Sequence, residues 1–259
     1  MALRRAFLLA LLGTSSVALA AEPTLPDLID ASRPSVLPVG TYSPLDTPRF
    51  TFHGTGFVVA DGHYLVTNAH VLPPPDSVNA DKRLAVQVPL ARGRYEQRFV
   101  EVQALDRARD LALLKLEGAK VPALSLATPG QVREGQSIAV LGFPLAGALG
   151  FSLVTHRGIV SSISAITMQA PAANALSEQA VRRLREGSFD ILQLDATAYP
   201  GNSGGPVMEL SSGAVVGVLN MVLVRRDKES AISTPTGVSY AIPVQYVQGL
   251  LKQAGLLLP

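Results

Sequence analysis

From residue 50 onward the chain breaks into short apolar and β-branched runs separated by turn residues, the pattern expected of strands. Gly56-Phe57-Val58-Val59 and Tyr64-Leu65-Val66-Thr67 flank Asp61-Gly62, a pair that suits a tight hairpin because glycine accepts positive φ. Runs at 84–88, 99–104 and 111–116 extend this into a first set, as a barrel would require. Residues 121–134, carrying Pro122, Pro129 and Gly130, read as a connector. A second set follows at 137–141, 156–163, 191–194, 206–209, 215–223 and 238–242, with Ser211-Ser212-Gly213 as a hairpin turn. The chain closes with a helix over 243–253: Val244, Val247, Leu250 and Leu251 fall on one face, and Pro243 suits its first turn.

Two stretches depart from this rhythm. Residues 21–48 are rich in Pro, Ser and Thr and read as an extended arm over the surface. Residues 164–190 form a long interruption with a short predicted helix at about 177–186, where Leu176, Ala180, Val181 and Leu184 make a weak apolar stripe and Gly187 a stop. Loops of this length inside a compact domain are usually functional.

Composition narrows the class. Hydrophobic residues make up 47% and charged ones 16% of 259, which excludes disorder and supplies a core. With 22 Gly, 19 Pro and no Trp, the balance favours an all-β fold. Arg4 and Arg5, the apolar run 6–12 and Ala18-Leu19-Ala20 read as a secretory signal peptide over 1–20, so the protein is expected to be exported, periplasmic or secreted. Gly13-Thr14-Ser15-Ser16 breaks the apolar run too early for a membrane span, so no stable membrane insertion is expected after cleavage. Removing that segment takes away two arginines and no acid, which brings the basic residues level with the 20 acidic ones. No basic block remains to recruit nucleic acid or a membrane surface. The absence of cysteine excludes thiol catalysis, disulfides and cysteine-based zinc sites, and no metal or cofactor is expected.

Three motifs carry chemistry. In Pro200-Gly201-Asn202-Ser203-Gly204-Gly205-Pro206 the glycines allow a tight turn that projects Ser203, with the N–H groups of Gly201 and Ser203 as a candidate oxyanion hole. In Val66-Thr67-Asn68-Ala69-His70-Val71 a strand ends in His70, placed to take a hydroxyl proton and return it to a leaving amine. In Arg107-Ala108-Arg109-Asp110-Leu111, Asp110 stands just before an apolar strand, where its carboxylate could orient His70; Asp106 is the nearest rival and reads as a turn residue. The other histidines, His53, His63 and His156, read as surface or packing residues. The chain order His, Asp, Ser differs from the subtilisin and α/β-hydrolase orders, and no G-x-S-x-G elbow surrounds Ser203.

These motifs, together with Gly54-Thr55-Gly56-Phe57, Gly142-Phe143-Pro144, Gly158-Ile159-Val160-Ser161 and Tyr240-Ala241-Ile242-Pro243, resemble the HtrA/Deg family of trypsin-like serine proteases over roughly 50–245. The resemblance implies two perpendicular six-stranded β-barrels with the active site between them: a domain over 49–259, the first barrel at 49–125, the second barrel and C-terminal helix at 134–259. It implies cofactor-free hydrolysis of polypeptide substrates, often unfolded or misfolded envelope proteins. Family members typically carry C-terminal PDZ domains; here the chain ends soon after the predicted helix, so tail sensing by such a module is not expected. A trypsin-like fold would place Thr197, Ala198, Gly217, Val218, Leu219 and Asn220 around the substrate pocket, and their character predicts a small or aliphatic residue before the cut. A proteolytically silent binding module and an esterase are the alternatives on the same scaffold. Homo-oligomerisation through aromatic residues such as Tyr42 and Phe50 is a further expectation from the resemblance.

Overall fold

The computed structural model describes residues 24–79, 81–90, 93–144, 146, 150–166, 189–220 and 238–256. The proposed signal peptide, the short helix at 177–186 and the end of the run 215–223 lie outside these residues. A first helix, α1 (Leu25–Ser32), starts at Thr24, whose hydroxyl caps Asp27 N–H while the Asp27 carboxylate accepts from Thr24 N–H. Twelve strands follow: β1 (Val36–Tyr42), β2 (Phe50–Val59), β3 (Tyr64–Thr67), β4 (Arg83–Pro89), β5 (Tyr95–Asp106), β6 (Leu111–Leu116), β7 (Ser137–Gly142), β8 (Val154–Ile166), β9 (Phe189–Asp195), β10 (Pro206–Glu209), β11 (Val215–Asn220) and β12 (Val238–Pro243). Helix α2 (Val244–Gln253) completes the order.

The strands close into two antiparallel six-stranded barrels, in the orders β1-β2-β3-β6-β5-β4 and β10-β11-β12-β9-β8-β7. The seams that close them pair Val39 with Val86 and Val207 with Val140. The expected all-β double barrel with a C-terminal helix is what forms, and Val244, Val247, Leu250 and Leu251 are the buried face of that helix. Pro243 caps the helix rather than occupying its first turn.

Residues 24–42 overturn the expected surface arm. They contribute helix α1 and then β1, a full barrel strand, so the first barrel begins before residue 49. The reason lies in the burial of β1. Val36 faces the apolar layer between the barrels, Leu37 and Val39 face the first barrel's interior, and Pro38 and Gly40 interrupt the run. A strand buried on both sides shows no polar alternation to read.

The same two-sided burial explains the continuous apolar run of β6. Leu111 and Leu113 point into the layer between the barrels, while Ala112, Leu114 and Leu116 point into the first barrel. That shared layer also holds Phe57, Leu141, Phe143, Met208 and Val218, so side chains from both barrels form one core. Burial of such residues at about 25 cal/mol per Å² is the main force holding the barrels face to face. The connector is strapped along both: Leu124 N–H donates to Val58, and Ala127 N–H donates to Val215.

Candidate active site

His70 sits in a single turn, Ala69–Val71, immediately after β3. Asp110 ends the turn between β5 and β6 with φ of 57°, a left-handed conformation unusual for a residue with a side chain. The two turns are sewn together through Asp110. Its backbone carbonyl accepts from Ala69 N–H at 3.1 Å and from the Asn68 amide at 3.0 Å. Its Oδ1 accepts from His70 N–H at 2.8 Å, and its Oδ2 lies 2.5 Å from His70 Nδ1. A carboxylate only accepts, so this contact places a proton on Nδ1 and selects the tautomer whose Nε2 carries the lone pair.

Asp110 Oδ2 has a further donor, the Asn220 side-chain amide at 2.8 Å. The Asn220 side chain thus reaches from the second barrel to the His70–Asp110 pair. On β11, Val218 and Asn220 point to one side and Gly217 and Leu219 to the other. Val218 accordingly packs in the layer between the barrels, and Leu219 in the second barrel's interior with Ala198. Which of these side chains meets the first barrel depends on the barrels' relative placement, which residue types do not reveal.

Ser203 lies in a buried turn held by a dense set of backbone bonds. Asn202 N–H donates to Tyr199, Gly205 N–H to Asn202, and Gly204 N–H to Leu219. Thr55 of β2 grips the turn from the other barrel: its N–H donates to Ser203 at 2.9 Å, its hydroxyl donates to Gly201 at 2.7 Å, and that hydroxyl also accepts from Phe143 N–H at 3.1 Å. Thr55 was visible in the sequence only as part of a glycine-flanked strand. Gly204 (φ 85°) touches Thr55 and Thr67 so closely that a Cβ would stand 2.1 Å from the Thr55 carbonyl and 3.1 Å from Asn68 N. Gly54 is wedged likewise between Val71 and the Ser203 carbonyl.

These contacts bring the Ser203 turn against the His70 turn across the seam. Among the described residues no hydrogen bond joins the Ser203 hydroxyl to His70, and the N–H groups of Gly201 and Ser203 donate to no acceptor. Asn202 is fully buried, and both of its side-chain polar atoms are unpartnered among the described residues.

One further side chain borders the segment before Ser203. His156, on the inward face of β8 opposite Val140, lies with its ring centroid 5.6 Å from that of Tyr199 and has a buried Nε2 with no partner among the described residues. Burial lowers its pKa. Within the chain, Tyr42 packs against Phe99 and Phe50 against Phe151.

Residues 54–218 match the trypsin-like peptidase domain. Over 207 residues, 80% of this chain, the sequence is 30% identical to the mitochondrial serine protease HTRA2 of Drosophila willistoni, covering 39% of that protein. The HTRA2 proteins of Drosophila pseudoobscura pseudoobscura and Drosophila persimilis match at the same identity, each covered over 40% of its length. The chain thus spans about two fifths of these curated relatives.

Proposed function

Because this chain belongs to the trypsin-like peptidase family, we propose that it is a serine endopeptidase in which Ser203, His70 and Asp110 carry the reaction. The observation that bears most weight is the Asp110 carboxylate, which accepts from both the backbone and the ring of His70 while the free N–H groups of Gly201 and Ser203 stand in the neighbouring turn.

The steps follow from that geometry. A substrate carbonyl seated against Gly201 and Ser203 brings its carbon to the serine hydroxyl. His70 Nε2 takes the hydroxyl proton as the oxygen attacks, and the resulting imidazolium is stabilised by Asp110. Charge developing on the carbonyl oxygen is met by the two N–H groups, a contribution of about 3–4 kcal/mol per donor in comparable sites. His70 then protonates the departing amine, and water repeats the sequence to release the acyl group. Asn220 holds Asp110 from the second barrel and so couples the two halves of the site.

The substrates we propose are unfolded or misfolded polypeptides, entered with a small or aliphatic residue before the cut. The absence of an acidic side chain at 197, 198 and 217–220 motivates that preference. We assign the protein to an exported compartment on the strength of residues 1–20; the named relatives are mitochondrial, so N-terminal sequencing of the protein from fractionated cells is the test. A mature chain starting at Ala21 outside the cytoplasm is the supporting result, and an intact start at Met1 the opposing one.

Digestion of β-casein by wild type and Ser203→Ala, with mass spectrometry of the fragments, tests the activity. The wild type is expected to cut, and the variant to lose at least about 1,000-fold in turnover. Equal or absent cleavage in both would instead favour a binding role for the scaffold.

A further inference from the structure

We propose that Tyr246 is a positioning residue for the His70–Asp110 pair, acting through Arg109; the proposal rests on the roles given to His70 and Asp110 above. Asp110 holds a left-handed backbone conformation, which aspartate reaches more readily than most residues with a Cβ but at a cost that its surroundings offset. On one side the Ala69 and Asn68 donors fix its carbonyl. On the other, Arg109 is folded back within the turn: its N–H donates to Asp106 Oδ1 at 3.0 Å and its Nη1 to Asp106 Oδ2 at 2.8 Å.

That ion pair is partly exposed, with side-chain exposures of 33% for Arg109 and 19% for Asp106, and pairs of this kind hold a geometry only weakly by themselves. Tyr246 supplies the missing restraint. The Arg109 guanidinium lies over its ring, 4.8 Å from the centroid, and Arg109 Nε is buried there without a partner among the described residues. The ring is itself immobilised. Its hydroxyl accepts from Asp190 N–H at 2.9 Å, and Phe189 packs edge-on against it at 5.9 Å and 86°.

Tyr246 belongs to α2, which follows the second barrel, while Arg109 and Asp110 belong to the first. The contact therefore ties the turn that aims Asp110 to the barrel that carries Ser203. Without the ring, Arg109 is free to extend into solvent, the 106–110 turn relaxes, and the carboxylate no longer meets both His70 nitrogens. Tyr246 reaches the pair only through Arg109, so the loss falls on kcat and leaves KM unchanged.

The test uses the full chain with Tyr246→Leu, Tyr246→Phe and Arg109→Met, read by steady-state kinetics on a peptide amide and by the downfield proton resonance of His70 Nδ1–H. Tyr246→Leu and Arg109→Met are expected to lower kcat about tenfold with KM within about twofold, a size typical of misplaced catalytic geometry, and to shift or abolish the resonance. Tyr246→Phe keeps the ring and loses only the Asp190 bond, so it should stay within about twofold of wild type in both readouts. Wild-type kcat and an unshifted resonance in Arg109→Met, which keeps an apolar stem for packing, overturn the proposal even if Tyr246→Leu fails to fold. Damage in Tyr246→Phe equal to that in Tyr246→Leu also overturns it, by making the Asp190 bond the operative contact. The resonance reports the His70–Asp110 bond whether or not the protein cleaves peptides, so a failure of the proposed activity is distinguishable from a failure of this positioning role.

Discussion

The two turns that meet at the barrel seam are built on opposite terms. In the His70–Asp110 corner, both carboxylate oxygens and the Asp110 carbonyl accept hydrogen bonds. In the Ser203 turn, the N–H groups of Gly201 and Ser203 have no acceptor among the described residues, and the buried Asn202 amide pairs with nothing there. A buried polar group without a partner costs about 1–3 kcal/mol. Every acceptor of Asp110 is thus engaged, whereas the Ser203 turn carries backbone donors without an acceptor among the described residues. Under the proposed mechanism this difference is useful, because donors free in the resting state contribute fully when charge develops.

The sharpest way to break the corner is Asp110→Asn. It preserves shape but replaces an acceptor-only group with one that can donate, which allows the wrong imidazole tautomer. We expect kcat to fall by about 10⁴-fold with folding intact, measured by single-turnover cleavage and thermal unfolding. Retention of more than a tenth of wild-type activity would remove Asp110 from the mechanism.

The Ser203 turn should break differently, through its backbone. Gly204→Ala places a methyl group 2.1 Å from the Thr55 carbonyl at a φ of 85°. Strain and overpacking together predict a loss of about 3 kcal/mol in urea unfolding, with activity lost alongside it. Stability unchanged by this substitution would mean that the turn adapts and the tight junction with β2 is not required.

The smallest expected effect concerns pH. Burial lowers the pKa of His156; burial, followed by the charge of Lys82, lowers that of His53. As pH falls through the ordinary imidazole value of about 6.5, the unfolded chain binds these protons before the folded one does. Stability is therefore full above that value and declines below it. Unfolding midpoints at pH 7.5 and pH 5.5 should differ less in the double variant His53→Gln/His156→Gln than in wild type. An equal difference in both would place the acid sensitivity elsewhere.

Much of this was legible because strands with turn residues between them announce themselves locally. The hairpin around Asp61-Gly62, the apolar run of β6 and the helical face of Val244, Val247, Leu250 and Leu251 all came from neighbouring residues alone. Two kinds of feature did not. Strand β1 was hidden because both of its faces are buried and Pro38 interrupts it. The Asn220 amide on Asp110 was equally hidden, because it depends on how a strand of the second barrel meets a turn of the first.

The chain's own residue order determined that there would be many short strands, eleven of them legible, a glycine-rich serine turn, and a histidine and an aspartate each placed at a strand end. Hydrophobic period and backbone permissiveness act over a few residues, so they are written in the chain. Which groups touch across the seam was decided only by folding: Asn220 on Asp110, Thr55 on Gly201 and Ser203, Tyr246 on Arg109. Each of these pairs joins residues more than a hundred positions apart, and their meeting depends on how two closed barrels pack rather than on any local preference.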